Sequence, residues 1–264
     1  MLETGATPEI LTDITVYLLF MVCVAIASYA QNLTGFAFSL ILLGTVAMLD
    51  IVPITEVANA AMLLSLVNAW SHFRIHRVRP PWRLMRPVIV SSIIGVATGV
   101  ALLSWLSGNA LEWLRLLLGV CILGCALVLI LQTHVRNTPS SPSSFMTVGF
   151  ASGILGGLFS SSGPPLVFHM YRQPMDHILV RNCLLVVFAV GAVFRLALII
   201  ATGQLSVNVL LLSACAMPVV YFVTRLNHRF PSRAKPATLR LIVAILLVFS
   251  GSTLLVAAVR AVVF

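Results

Sequence analysis

Charge is what this sequence has least of. Its 264 residues include 7 Asp or Glu and 16 Lys or Arg, so 9% are charged, against about 25% in an average soluble domain. A soluble protein of this length could bury a sizeable core, but it could not cover its outside with so few charges. Recognisable enzyme machinery is also missing: there is no Ser/His/Asp set, no phosphate loop after a strand and no pair of catalytic carboxylates. The five cysteines, Cys23, Cys121, Cys125, Cys183 and Cys215, form no CxxC or zinc spacing. They read as small buried hydrophobes within apolar segments. His72-x3-His76 has metal-like spacing but falls among arginines with no third ligand, so no metal and no cofactor are expected. Residues 1–12 contain no Lys or Arg, so the first apolar segment is expected to belong to the mature protein rather than to a signal peptide.

Apolar sequence fills the rest, 60% of the chain. Several runs reach the roughly 20 residues needed to span a bilayer as a helix. Runs such as Leu241–Leu247 and Val120–Leu131 do not alternate, which excludes a transmembrane barrel. The net charge of +9 is the positive-inside signature of a membrane protein, not a nucleic-acid surface. Ten segments result: Ile14–Ala30, Phe36–Leu49, Ile54–Phe73, Leu84–Leu106 and Leu111–Leu131, then Phe145–Leu158, Pro164–Met170, Ile178–Thr202, Val207–Thr224 and Ala237–Val259. Between the two groups lies a polar linker, 133–144, containing Asn137-Thr138-Pro139-Ser140-Ser141-Pro142.

The positions of the basic residues predict the orientation. Arg74, Arg77, Arg79, Arg83 and Arg86 form one loop, and Arg225, Arg229, Arg233, Lys235 and Arg240 another; with Arg136, Arg172 and Arg181 they are expected in the cytoplasm. The N-terminus and the turns at Asp50, Gly108 and Gly203 are then outside. These assignments force the first two segments to enter and return as a hairpin, and the sixth and seventh likewise from the other side. The expected fold is therefore an all-α integral membrane protein of one transmembrane domain. It has two inverted-topology repeats (about 13–132 and 145–262), each a broken-helix hairpin followed by three crossings, a plan typical of secondary transporters.

Both hairpins break at polar or glycine-rich sequence, Gln31-Asn32-Leu33-Thr34-Gly35-Phe36-Ala37-Phe38 and Gly156-Gly157-Leu158-Phe159-Ser160-Ser161-Ser162-Gly163-Pro164-Pro165. Phe145–Leu158 would be only about 21 Å long, which predicts a break near mid-membrane. A helix starting there presents free N–H groups to an anion. Thr34 is the expected N-cap of the second segment, and Ser162 or Gly163 that of the helix opening at Pro164. Gly95-x3-Gly99 and Gly149-x3-Gly153 read instead as close-packing contacts. Arg195, far along its crossing, is a functional candidate, with snorkelling to the outer surface as the alternative. Asn59 and Asn182 occupy similar places in the two halves, and Asn68 and Gln31 are further intramembrane amides. Each serves as a ligand or as interhelical glue. Glu56 and Asp50 near the outer surface read as solvated carboxylates, with proton carriage the alternative.

Gly35-Phe36-x-Phe38, and Gly153-x2-Gly156-Gly157-Leu158 with Gly163-Pro164-Pro165-Leu166-Val167, resemble the hairpin motifs of the sulfite exporter TauE/SafE family. The resemblance covers roughly residues 14–260. It implies a permease of the bacterial cytoplasmic membrane that exports small anions such as sulfite, sulfoacetate or other organosulfonates. Two departures stand out. The family's first motif often reads Gly-Phe-Gly-Phe, where this chain has Ala37, and the second often has Gly where it has Ser160 or Ser162. The resulting expectation is alternating access, with a substrate site formed by Gln31, Thr34, Gly35, Asn59, Ser160, Ser161, Ser162, Gly163, Asn182 and Arg195. Expected partners are the small anion, the lipid bilayer, a coupling proton or sodium ion and a second copy of the chain. An anion channel and a membrane-embedded enzyme are the alternatives.

Overall fold

The computed structural model describes residues 7–34, 37–49, 51–75, 81–130, 136–161, 163–203, 205–230 and 236–263. Within them the chain is entirely helical: α1 (Thr7–Thr34), α2 (Phe38–Leu49), α3 (Ile54–Ile75), α4 (Trp82–Asn109), α5 (Leu111–Ile130), α6 (Pro142–Phe159), α7 (Gly163–Tyr171), α8 (His177–Ala201), α9 (Val207–Arg229) and α10 (Pro236–Val263). Each of the ten apolar segments is one helix. Five, in α1, α4, α6, α8 and α9, are long and apolar enough to cross a membrane. Large apolar side chains such as Leu18, Ile94, Phe222 and Phe249 cover the exterior, as lipid contact requires.

Tryptophan marks the two edges of that exterior. Trp70 and Trp82 are exposed at the α3–α4 turn, and Trp105 and Trp113 at the α4–α5 turn. Trp82 and Trp105 lie on the same helix, about 35 Å apart, matching a hydrocarbon core of roughly 30 Å with aromatic belts at both interfaces. The first pair marks what we call the basic end, beside Arg74, Arg83 and Arg86.

Three local expectations change. α6 starts at Pro142 rather than Phe145, because Ser141 caps it by accepting from the Ser144 N–H and Pro142 takes the favoured first position. Its 18 residues are therefore about 27 Å long. Thr34 does not cap α2. It is the last residue of α1, and Ala37 stands before α2, its carbonyl accepting from Ile41 N at 2.9 Å. Cys23, Cys121, Cys125 and Cys183 are buried as expected, but Cys215 is exposed.

The tightest seam joins α4 to α6. A Cβ on Gly95 would lie 2.9 Å from Gly153 Cα, and one on Gly99 2.9 Å from Gly157 Cα. Of the predicted glycines, Gly95 and Gly153 meet, whereas Gly99 meets Gly157 and Gly149 meets Val88 and Ser91, and the helices run parallel. The main other neighbours fall into matched sets. α1 packs on α9 as α6 does on α4, α2 on α10 as α7 on α5, and α3 on α9 as α8 on α4; α3 meets α8, and α5 meets α10.

Candidate functional site

Between α1, α2, α3, α6 and α8 lies an internal cavity. Its closed end is built around Arg195. At 1% exposure this side chain does not snorkel. Its Nε donates to the Gly157 carbonyl at 2.9 Å, and its Nη1 donates to the Ala58 carbonyl at 2.9 Å and to the Ser160 hydroxyl. The Ser160 hydroxyl in turn donates to the Ala58 carbonyl.

Local folding explains this arrangement. The last carbonyls of α6 have no partner within the helix. Ser160 ends α6 in the left-handed region, φ 56, and its N–H returns to the Gly156 carbonyl. That leaves Gly157 O for Arg195, whose positive charge also suits a helix C-terminus. From α2, Ser39 Oγ donates to the Ser160 carbonyl at 2.8 Å, so the first turn of one hairpin's second helix holds the break of the other. Ala37, with φ 45, sets up that approach. Ala37 and Ser160 are the two non-glycine residues with positive φ among those described.

One guanidinium nitrogen, Nη2 of Arg195, is buried without a partner, as is Oε1 of Gln31. Both residues line the cavity, together with Ser39, Ser65, Ser160 and Ser161. Phe38, Met62, Leu185 and Phe188 form its apolar wall. On α3 the lining runs from Met62 to Ala69, and on α8 from Arg195 back to Leu185, so the cavity extends from Arg195 towards the basic end. Arg195 meets α3 at Ala58, only four residues after Ile54 begins that helix. The break thus lies near the edge opposite the basic end, deeper than the mid-membrane position that the shorter helix predicted.

Of the expected site residues, the structure brings Gln31, Ser160, Ser161 and Arg195 together on the cavity. Asn59 is buried with Oδ1 unpartnered, but it does not line the cavity. Asn182 is half-buried and Gly163 buried; neither lines it. Gly35, Ser162 and the Thr34 side chain lie outside the described residues. So do His76 and the His72 side chain. Asn68 is interhelical glue: Thr224 Oγ1 donates to its Oδ1 at 3.1 Å and accepts from Asn32 Nδ2 at 3.2 Å, which ties α1, α3 and α9 together. Ser39, Ser65 and Thr224 were missed. Their signal was the one that marked Gln31, a lone polar residue inside an apolar run.

These features define a multi-span membrane protein with a cationic, largely apolar cavity between its helices. The sequence matches the family described as "Sulfite exporter TauE/SafE" over residues 19–254. It is 34% identical over 234 residues, 89% of this chain and 91% of the other, to the "Probable sulfite/organosulfonate exporter TauE" of Cupriavidus necator. The chain belongs to the sulfite exporter TauE/SafE family, and is a transporter rather than an enzyme. No solved structure matches it.

Proposed function

We propose that this chain exports small sulfur oxyanions, sulfite or organosulfonates, across the bacterial cytoplasmic membrane by alternating access. The observation that carries this reading is the unpartnered Nη2 of Arg195 on a cavity wall. A buried cation whose recorded partners are neutral oxygens is costly, and a bound sulfonate or sulfite oxygen would both satisfy the donor and offset the charge. Ser161 supplies a hydroxyl, and the apolar wall accommodates a short carbon body. Asn59, Asn182 and the remaining hairpin-tip residues Thr34, Gly35, Ser162 and Gly163 are a second set of candidates.

The matched helix neighbours support two inverted repeats, α1–α5 and α6–α10, because the main packing pairs of one half have counterparts in the other. Basic residues cluster at one end, which supports a cytoplasmic basic end. A cavity running from Arg195 towards that end would receive its anion from the cytoplasm. Rocking of one repeat against the other would then open the Arg195 end to the outside.

Calorimetric titration of purified protein with sulfite and ethanesulfonate tests the site. Arg195→Ala should weaken binding at least tenfold, the cost of about 1.5–3 kcal/mol for a hydrogen bond to a charged group, and Ser161→Ala several-fold. Unchanged affinity in both variants would exclude this cavity as the site.

A further inference from the structure

We infer that Arg195 is a tethered counter-cation occupying the oxygen cluster where a mobile coupling ion would otherwise sit, so that the chain moves its anion as net charge, driven by membrane potential alone. This rests on the reading of the cavity as the anion site.

Broken-helix carriers commonly hold a coupling cation on the carbonyls at a half-helix C-terminus and on unwound backbone. This protein has such a cluster: the Gly157 carbonyl at the end of α6, the Ala58 carbonyl of α3 and the Ser160 hydroxyl converge on one point. The point is taken by a guanidinium that cannot leave. A sodium ion would have to displace it or sit against its charge, and neither is favourable in a dry interior.

Proton coupling needs a titratable group that meets the cavity, and among the described residues that line it Arg195 alone is ionisable. Of the seven carboxylates, Glu3, Glu9 and Asp13 precede the apolar stretch of α1 that begins at Thr15, and Asp50 lies between α2 and α3. Glu56 and Glu112 stand in the first turns of α3 and α5, and Asp176 caps α8. Among the described residues no carboxylate lines the cavity or bonds Arg195. Arg195 itself returns to its starting place at the end of each cycle and moves no net charge. The charge transferred per cycle is then that of the anion. A potential negative inside pushes an anion outward, and about 2.3 kcal/mol per charge per 100 mV corresponds to a gradient of about fifty-fold for a monoanion.

Full-length protein in liposomes, with a potassium gradient and valinomycin setting the potential, gives the test. The probes are ethanesulfonate, a monoanion with an apolar body, and sulfite. Ethanesulfonate should accumulate on the positive side by about fifty-fold per 100 mV, and sodium or pH gradients at zero potential should not concentrate it. Free guanidinium should restore part of the flux lost in Arg195→Ala. Uphill movement on a sodium or pH gradient with the potential clamped at zero would overturn the inference, as would loss of the potential-driven accumulation in Glu56→Gln. If binding still depended on Arg195 in that case, the cavity would stand as the anion site. Binding indifferent to Arg195→Gln, or no flux of either probe, would overturn both. The potential measurement needs no variant, so it holds even if Arg195 substitutions do not fold.

Discussion

At the residue scale, Ala37 carries backbone strain without a glycine to relieve it. An alanine in the left-handed region costs about 1–2 kcal/mol, part of which is recovered through the stiffer unfolded chain. Ala37→Gly, at φ 45, should therefore raise stability by about 1 kcal/mol, read as a higher unfolding midpoint in detergent. Ser160→Gly removes the same strain at φ 56 but also deletes the hydroxyl that Arg195 and the Ala58 carbonyl share. It should weaken anion binding while leaving the unfolding midpoint near that of the parent; an unaltered affinity would mean the hydroxyl is incidental. Arg195 itself was readable as a charge deep in an apolar run. Of its partners, Ser160 was legible as a hydroxyl at the break, but the other two were not, since they are backbone carbonyls, which every residue type carries alike.

At the scale of elements, the α4–α6 seam depends on hydrogen as a side chain. A Cβ on Gly99 would sit 2.2 Å from the Ile154 carbonyl oxygen, and neither backbone can yield without parting the helices. Gly99→Leu should abolish recovery of folded protein. Gly124, with nothing within 4 Å of an added Cβ, offers the contrast: Gly124→Ala should stabilise α5 by roughly 0.5–1 kcal/mol, measured by the same midpoint. The glycine spacings exposed this seam in advance, but not which glycine would face which. The start of α6 was misplaced because the apolar pattern begins at Phe145 whereas the helix begins at its Ser141 cap. The end of α1 moved for a similar reason: Thr34 looks like a cap in sequence, but it continues the preceding helix.

At the scale of the whole molecule, segment number and the clustering of basic residues were legible because hydrophobicity and charge are additive along the chain. The cavity was not, because it depends on which helices meet. The Asn32–Thr224–Asn68 network shows the difference. It lies outside the cavity lining and bridges α1, α3 and α9, which places it between elements of the two halves. Thr224→Val leaves two amide groups without this partner and should cost about 1–2 kcal/mol. In liposomes it should change the turnover rate by several-fold while leaving equilibrium affinity for ethanesulfonate unchanged. An altered affinity with normal turnover would assign the network to substrate binding instead.

The tryptophans along α4 also fix how much lipid this protein prefers to displace. Trp82 and Trp105 are both exposed and about 35 Å apart, so a thinner bilayer would force the helix to tilt or would pull the aromatic belts out of the headgroup layer, at fractions of a kcal/mol per ångström. Because α6 is fused to α4 through glycine, any such tilt would be passed to the hairpin that ends at Ser160. The acyl-chain length of the host membrane would thereby act on the position of Arg195, and transport should fall off in short-chain lipids before the protein itself unfolds.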